Sequence, residues 1–587
     1  MRREELVHLA LIFVAIAFFA AIEALGPILY IFEHSFLLLD VIRVAGHALF
    51  HATLILAICS LFGRRSIAIQ MALTTIYIPL AYANLLYFRS FGICFPFNMM
   101  LQFQQLKGLS QSIVELMHGY DILFLIVPIV AYLAYYKLKG RLTNFYYKLH
   151  FGTLAIAIGI TLCPVLYVIN YRDFKITQLH KEIHQNYAMA PKRTYRGFGL
   201  LPSLSYQIWN ANKAQRLTDR ERDMIESAIM AQRNTLKSSS VKVSPKTNCV
   251  IMLLESFSSQ AIQREYMPTL YELCNQKTTL YCPKVKQLTQ GGKSIGGQLV
   301  VMTGLHGLRN STFVTDFPNN RYPSIATALK GSSSDCSTLS VVSTDSNFWQ
   351  QDVVNSQLGV EELYGLKEIE QSGQNVRYNK HKWIDDATLF DFSAKKIESL
   401  DSPFCSLIVP SNMHSPYTYD STIDCSATFE GVADKSLHEY LRRAKHLDEQ
   451  IASFINRLKG CGKYDDTLIV VVSDHHVPID NDAMQLALSD YIPAIFINAG
   501  MDCVEQNERN KDVVFCHSQL YPTVLQLMGL ISEEYVGLFP PMTDIEATVE
   551  FDFERCDYAA TTNEQLKLVY DLGELIVRSS YFGTVRD

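Results

Sequence analysis

The stretch NCVIMLLE, residues 248–255, places six consecutive apolar residues directly before a glutamate. A short, continuous apolar run is typical of a strand buried on both faces of a parallel sheet. Four later runs have a similar character, at residues 338–343, 404–409, 467–472 and 492–497. Helical patterns lie between them, so the sequence predicts an α/β domain with a mostly parallel central sheet covered by helices.

Two of the intervening helical patterns are clear. Apolar residues recur every three or four positions from Leu437 to Leu458, which predicts one amphipathic helix. A second helix is predicted to begin at Tyr521 and to stop at Gly529. The later segment QLKLVYDLGELIVR, residues 565–578, is interpreted as a hairpin with its turn around Gly573.

Polar residues at the carboxyl ends of the strands are candidates for a functional site, because ligands of parallel sheets bind there. Glu255 follows the first predicted strand and His414 follows the third. Asp474, His475 and His476 follow the fourth. Any one of these residues alone is more often a solvated, capping or turn residue. Several of them at equivalent strand ends together predict a site.

The glycine-rich stretch QGGKSIGGQLVVMTG, residues 290–304, supplies a candidate nucleophile. Ser294 follows Lys293 in a segment with five glycines and precedes an apolar run. Glycines allow the backbone to approach a substrate closely, and the N–H groups at a helix start favour an anion. For this stretch alone, an ordinary glycine-rich loop is the competing interpretation.

These residue types together suit metal-assisted phosphoryl chemistry. Glu, Asp and His side chains with a hydroxyl form a ligand set for one divalent cation, Mn²⁺ or Zn²⁺, with Mg²⁺ as a third candidate. A cation on the Ser294 hydroxyl would make this oxygen nucleophilic near neutral pH, and Lys293 would stabilise charge on a phosphoryl centre. The predicted metal ligands are Glu255, Ser294, Asp474 and His475.

The first 170 residues predict a membrane domain. Five apolar stretches are long enough to cross a bilayer: residues 6–32, 37–62, 66–88, 116–136 and 151–169. Basic residues lie before the first stretch, after the second and between the fourth and fifth, and the positive-inside rule makes these regions cytoplasmic. Five spans would then place the rest of the chain outside the cytoplasmic membrane.

Length and composition agree with a multi-domain chain. A chain of 587 residues is too long for one core, and a net charge of -6 argues against a dedicated nucleic-acid binder. The thirteen cysteines include no CxxC pair, which argues against a zinc ribbon. Disulfides in an oxidising compartment and small buried apolar residues are both open interpretations of the cysteines, so no pairs are assigned. We expect a membrane domain at residues 1–170, a connector at 171–246 with an amphipathic helix from a capping box at Thr218 to about Arg233, and an outer domain at 247–587.

The motifs of the outer domain resemble those of the alkaline phosphatase–sulfatase superfamily. The nearest branch is the lipoteichoic acid synthases, and the phosphoethanolamine transferases that modify lipid A come next. IMLLESFSS around Glu255, GGKSIGG around Ser294, NMHSPY around His414 and VVSDHH around Asp474 and His475 carry the resemblance. It implies five membrane spans, an extracytoplasmic sulfatase-like domain with a small C-terminal sheet, and Ser294 as nucleophile in place of the usual Thr.

Two weaker matches concern the substrate. The segment SNFWQQD resembles the part of the synthases that contacts phosphoglycerol: Trp349 fits it, but Gln351 stands where the synthases carry an Arg. The segment HSQLYPTVLQLMG, which begins at His517, resembles a sulfatase motif. The predicted substrate-side residues are therefore Lys293, Trp349, His414 and His517. For His517, as for His476, a structural role is the competing interpretation.

The sulfatase branch itself is disfavoured. Sulfatases oxidise a Cys or Ser within a motif that requires a Pro and an Arg, and here Gly296 and Gln298 stand at those positions. The resemblance thus implies that Ser294 acts directly rather than as formylglycine.

The sequence leads to the hypothesis of a multi-pass protein of the bacterial cytoplasmic membrane that is a metal-dependent transferase. Ser294 would take the headgroup phosphoryl, phosphoglycerol or similar, from a phospholipid donor and pass it to a cell-envelope glycan or lipid acceptor. His414 would act in acid–base catalysis or contact the phosphate. Phosphoethanolamine transfer to lipid A or an envelope glycan, sulfatase-like ester hydrolysis, and a non-catalytic receptor or scaffold are the alternatives.

Overall fold

The structure is a computed structural model of the chain. It describes residues 3–34, 36–60, 62, 65–91, 95, 113–114, 116–142, 195, 199–201, 204–205, 208, 215–289, 293–309, 312–346, 348–479, 481–530, 534–555 and 561–585. The chain divides into two compact units. One contains Met1–Leu101 and Ile113–Ala211, and the other contains Gln102–Ser112 and Asn212–Asp587.

The described part of the first unit is helical. Its helices are α1 Arg3–His34, α2 Leu38–Ser60, α3 Ser66–Phe91 and α4 Leu123–Leu142. By length and composition, α1, α2 and α3 could each cross a membrane, which agrees with the first three predicted spans. Helix α4 lies where the fourth span was predicted but is not among those three. The fifth predicted span, residues 151–169, falls outside the described residues.

Ionisable residues within these helices are paired with one another. Glu23 is 2% exposed and accepts hydrogen bonds from His51 Nδ1, at 3.2 Å, and from the Tyr77 hydroxyl. Arg43 Nη1 lies 3.3 Å from Asp40 Oδ1 one turn earlier in α2. Such pairing reduces the cost of placing charged groups in a low-dielectric environment.

The second unit contains the α/β domain. Its strands are β1 Asn248–Leu254, β2 Leu280–Lys286, β3 Ser337–Val342, β4 Glu362–Tyr364, β5 Phe404–Val409, β6 Thr467–Ser473, β7 Ile492–Ile497 and β8 Phe515–Cys516. Its helices are α5 Asp219–Lys237, α6 Pro268–Cys274, α7 Ser294–Thr303, α8 Phe313–Asp316, α9 Ile325–Ser332, α10 Gln351–Leu358, α11 Leu366–Gln371, α12 Asp386–Ser399, α13 Lys435–Gly460, α14 Asp482–Ala487, α15 Val504–Asn510, α16 Leu520–Leu527, α17 Ile545–Val549 and α18 Glu564–Ser579.

The strands form one sheet in the order β4-β3-β5-β1-β6-β7-β2-β8. Strand β7 runs antiparallel to both of its neighbours, and the other adjacent pairs are parallel, so the sheet is mixed but mostly parallel. All five predicted strands are present, and β1, β5 and β7 have the predicted bounds.

Both faces of this sheet are covered, as the continuous apolar runs predict. Val250, Met252 and Leu254 belong to one buried apolar cluster. The alternating residues of the same strand, Cys249 and Ile251, belong to another. Since successive side chains of a strand point to opposite faces, the two clusters lie on the two sides of the sheet.

Helix α5 begins at the predicted capping box. The Thr218 hydroxyl accepts a hydrogen bond from the Glu221 N–H at 3.2 Å, and the Glu221 carboxylate accepts one from the Thr218 N–H at 2.8 Å. The helix continues past the predicted end near Arg233 to Lys237.

The C-terminal hairpin predicted for residues 565–578 is wrong, because this segment is helix α18. Asn563 caps it by accepting a hydrogen bond from the Leu566 N–H at 3.0 Å. Gly573, interpreted as a turn residue, is instead a point of close approach: a Cβ there would lie 2.5 Å from His306 Nε2. Among the described residues after Cys516 there is no strand, so the small C-terminal sheet implied by the resemblance is not found there.

Candidate active site

The sheet brings the predicted site residues together at one edge. Strand β1 lies beside β6 in parallel register, with Leu254 opposite Ser473. The next residue of each strand, Glu255 and Asp474, therefore leaves the sheet beside the other. The pairing of β1 with β5 brings the loop that carries His414 to the same edge.

Ser294 is the first residue of α7, and its side chain contacts two of the predicted ligands. Its hydroxyl donates a hydrogen bond to Glu255 Oε2 at 3.0 Å. Its Oγ lies 3.3 Å from His475 Nε2. The nucleophile predicted from the glycine-rich stretch thus lies beside the strand-end residues.

The predicted ligands are oriented by hydrogen bonds that leave ligand atoms available. Asp474 Oδ1 accepts the N–H groups of Ser256, at 2.9 Å, and His475, at 2.7 Å, while Asp474 Oδ2 lies 3.6 Å from His475 Nε2. His475 Nδ1 donates to the His476 carbonyl at 2.8 Å. Because Nδ1 carries that proton, the lone pair of a neutral His475 lies on Nε2, the atom that faces Glu255 and Ser294.

This arrangement fits a divalent cation. Ligand atoms of Glu255, Asp474 and His475 all lie within 4.8 Å of one another, and the Ser294 hydroxyl adjoins them. Burial and the nearby charge of Glu255 raise the pKa of Asp474 to about 7. Burial would also raise the pKa of Glu255, but the hydrogen bond and charge of His475, in its protonated form, and the charge of a protonated His414 hold it below its usual range. Two buried carboxylates and one imidazole directed at a common point are a donor set for Mn²⁺ or Zn²⁺.

Gly296 and Gly297 allow α7 to lie directly against the residues around it, including the metal-ligand residue Asp474. A Cβ on Gly297 would lie 2.8 Å from Asp474 Cβ and 2.9 Å from its Cα. A Cβ on Gly296 would lie 2.3 Å from the Thr289 carbonyl oxygen. These neighbours are backbone atoms or lie next to the backbone, so they cannot move away cheaply. The glycines therefore set the distance between the nucleophile and the ligands.

We expect Gly297→Ala to move Ser294 away from Asp474, to lower the free energy of unfolding by about 1–3 kcal/mol and to lower activity at least about tenfold. Thermal unfolding and activity assays of the purified chain measure these effects. Gly331→Ala in α9 is the matched control, because a Cβ there meets no atom within 4 Å and should not harm stability. Equal behaviour of the two variants would contradict this account of Gly297.

His414 lies beside this centre, on the loop after β5. Its Nδ1 donates to the Ser415 carbonyl at 2.5 Å, and its ring packs edge-on against Trp383 with a centroid distance of 5.1 Å. Burial lowers the pKa of His414, although the nearby charge of Glu255 opposes that effect. Because Nδ1 carries the proton that Ser415 accepts, Nε2 is the atom of a neutral His414 that can accept a proton.

The aromatic surroundings of His414 were not predicted from the sequence. Trp383 is 6% exposed and stacks on His381 with ring centroids 4.9 Å apart. The Phe348 ring also packs against Trp383, with the two centroids 5.8 Å apart. The sequence carries no local signal for this cluster, because its members come from separate loops.

The remaining predicted residues differ in their positions. Trp349 lies in the short 3-10 helix Phe348–Gln350, and the position of its side chain is outside the described part. His517 is fully buried, and burial together with the charge of His475 lowers its pKa to about 3. Burial and the charges of His475 and Lys293 lower the pKa of His476 to about 4. Lys293 therefore lies near His476, and His517 lies near His475.

Comparison with known families gives two matches along the chain. The sulfatase family profile matches residues 248–530. The profile of the lipoteichoic acid synthase N-terminal domain matches residues 7–189. The first range contains every predicted metal ligand, and the second contains α2, α3, α4 and all but the first four residues of α1.

Individual relatives agree with these matches. Lipoteichoic acid synthase 1 of Bacillus subtilis is 23% identical over 543 residues, which cover 87% of this chain and 81% of that protein. Lipoteichoic acid synthase of Staphylococcus aureus (strain USA300) is 24% identical over 486 residues, covering 78% of this chain and 72% of that protein. The solved structure of the integral membrane lipooligosaccharide phosphoethanolamine transferase A of Neisseria meningitidis has a TM-score of 0.53 at 12% identity, covering 89% of this chain and 97% of that chain. This last likeness concerns the fold.

Proposed function

We propose a specific reaction for this chain, which is a lipoteichoic acid synthase-like membrane protein of the alkaline phosphatase–sulfatase superfamily. The chain transfers a phospholipid headgroup, phosphoglycerol or similar. The transfer passes through a phosphoserine intermediate on Ser294. The acceptor is a hydroxyl group on a cell-envelope glycan or lipid. The catalytic domain acts outside the cytoplasmic membrane.

The observation that carries this proposal is the position of the Ser294 hydroxyl. It lies at the start of α7, 3.0 Å from Glu255 Oε2 and 3.3 Å from His475 Nε2, within a set of buried ligand side chains. A serine in this position can attack a phosphoryl group, and the N–H groups at the helix start favour the negative charge of that group. Lys293, directly before it, adds a positive charge.

The chain's own residues carry the two steps of the reaction. Ser294 Oγ gives up its proton and attacks phosphorus, the bond from phosphorus to the diacylglycerol oxygen breaks, and diacylglycerol leaves as an alcohol with that proton. The acceptor hydroxyl then attacks the same phosphorus, and the bond to Ser294 Oγ breaks. His414 takes the proton of the acceptor hydroxyl at Nε2, and a proton returns to Ser294 Oγ as its bond to phosphorus breaks. A divalent ion held by Glu255, Asp474, His475 and Ser294 would supply charge neutralisation and activation of the serine hydroxyl.

The membrane helices support a lipid donor. Helices α1, α2 and α3 are long and apolar enough to span a bilayer, so the catalytic unit is tethered to the phase that contains phospholipids. Tethering replaces a bimolecular encounter by one with a high effective concentration.

Phosphoethanolamine transfer is the second candidate function, and Gln351 is the residue that favours it. Gln351 stands where the synthases carry an Arg and is 5% exposed at the start of α10. A phosphoglycerol headgroup would therefore lack that Arg contact in this chain.

The experiment that separates these functions uses the full chain in detergent with Mn²⁺ or Zn²⁺. Phosphatidylglycerol and phosphatidylethanolamine, each labelled in the headgroup, are supplied separately, and peptides are analysed by mass spectrometry. We expect label on Ser294 from one donor only. An absence of label from both donors would overturn the phosphoserine intermediate, while release of a free phosphoester with no acceptor present would indicate a hydrolase.

A further inference from the structure

Arg443 is a fully buried arginine on α13 that the reaction described above does not use. A guanidinium has five N–H donors, and here each has a partner. Nε donates to Glu439 Oε1 at 2.9 Å. The other four donate to backbone carbonyl oxygens of alternate loop residues: Asn412 (3.2 Å), His414 (2.8 Å), Pro416 (3.3 Å) and Thr418 (2.7 Å).

The loop that receives these hydrogen bonds is the one that carries His414. Its first N–H groups are held separately, because Asp386 Oδ1 accepts those of Ser411 and Asn412, each at 3.1 Å. Residues 411–418 are therefore fixed by Asp386 through their amides and by Arg443 through their carbonyls. The hydrogen bond from Arg443 to His414 goes to the backbone oxygen of His414. The guanidinium therefore fixes the backbone from which the His414 side chain extends.

The charge of Arg443 is balanced in a way that points to a positional role. Glu439 is 2% exposed and accepts hydrogen bonds from both Arg442 and Arg443. Burying this group of one carboxylate and two guanidinium ions costs solvation energy. Replacing buried ion pairs with well-packed apolar residues often gives equal or better stability. A buried arginine whose remaining donors all go to one loop is therefore better explained by the geometry that it imposes on the loop.

We propose that Arg443 is a positioning residue for the transfer reaction: its guanidinium holds residues 412–418 so that His414 stays beside Glu255 and Ser294. This inference rests on the proposed function, in which His414 takes the acceptor proton. A lysine at this position would retain the charge but has three donors on one nitrogen, so it cannot bind four spaced carbonyls and Glu439 together.

The test is a double-mutant cycle on the full chain with the labelled donor and an acceptor. Arg443→Lys should lower kcat about tenfold to a hundredfold, with little change in KM for the donor and unchanged metal content. His414→Ala should also lower kcat. If Arg443 acts through His414, the double variant loses no more than His414→Ala alone, whereas independent roles would multiply the two losses and overturn the inference.

Arg442→Lys is the matched control. Arg442 is the adjacent residue and shares Glu439, but it donates to the carbonyls of Asp420, Ile423 and Cys425, beyond the part of the loop that carries His414. It should leave kcat unchanged, and a loss equal to that of Arg443→Lys would overturn the inference.

A second variant, Arg443→Met, tests whether a kcat loss comes from a folding defect caused by an unpaired buried charge. Arg443→Met leaves Glu439 paired with Arg442 and so leaves no uncompensated charge. It should show the same kcat loss as Arg443→Lys. Wild-type protein that transfers no label overturns this inference together with the proposed function. Wild-type protein that transfers label while Arg443→Lys and Arg443→Met match it overturns this inference alone.

Discussion

Replacing Ser294 with alanine is expected to abolish the labelled adduct and to lower headgroup transfer by at least about a thousandfold. The substitution removes the only atom that the proposed intermediate is formed on, the oxygen that lies 3.0 Å from Glu255 Oε2. Alanine is a good helix former, so α7 should still begin at this residue. Peptide mass spectrometry and the rate of diacylglycerol release measure the two effects.

Ser294→Thr is the matched control for this prediction. Threonine keeps the hydroxyl, so the variant should still form the adduct and should retain measurable transfer. Metal content should be compared in parallel, because the hydroxyl is also a predicted ligand. Undiminished transfer by Ser294→Ala would remove Ser294 from the mechanism, whatever the donor.

The strands that were predicted correctly share one physical property. Strands β1, β5 and β7 are buried along their whole length, apart from the partly buried last residue of β5, and a continuous apolar run signals such burial directly. Strand β2, LYCPKVK, was not predicted because it contains two lysines and Pro283 and is only partly buried. Its proline lies at a register shift in the pairing with β7, where a ladder hydrogen bond is not required.

The error at the C-terminus has a different cause. The apolar residues of segment 565–578 fit a helical period, but the hairpin prediction treats Gly573 as a turn residue. In the structure it is required by tertiary contact, since His306 occupies the space of a Cβ. A sequence alone does not distinguish a glycine needed for its conformation from one needed for close packing.

The sequence predicts the parts of the site that follow from a general rule, and it misses the parts that depend on tertiary contacts. Glu255 and Asp474 follow adjacent strands, so a general rule on parallel sheets finds them. Arg443 reaches the His414 carbonyl across 29 residues of sequence, and nothing around it marks that contact. Its spacing from Glu439 is that of an ordinary surface ion pair on a helix, yet both side chains are buried.

Asp474→Asn is expected to change stability in opposite directions without and with a divalent ion. Glu255 and Asp474 are 8% and 2% exposed, so their carboxylates repel each other with little screening by water. Asparagine keeps an oxygen to accept the N–H groups of Ser256 and His475 and removes one charge. Without an ion, the variant should therefore unfold at a temperature a few degrees higher than the wild type.

With an ion, the order should reverse, because the variant has lost a ligand. At an ion concentration of about a hundred times Kd, the wild type should gain about 2.7 kcal/mol of stability, while Asp474→Asn gains much less. Thermal unfolding of the full chain in detergent, with a chelator and then with increasing Mn²⁺ or Zn²⁺, measures both effects. Asp401→Asn, which changes an exposed acid before β5, is the control and should follow the wild type throughout. Equal stabilisation of Asp474→Asn and wild type by the ion would contradict the assignment of Asp474 as a ligand, because a site that had lost one of its charged donors could not bind the ion as tightly.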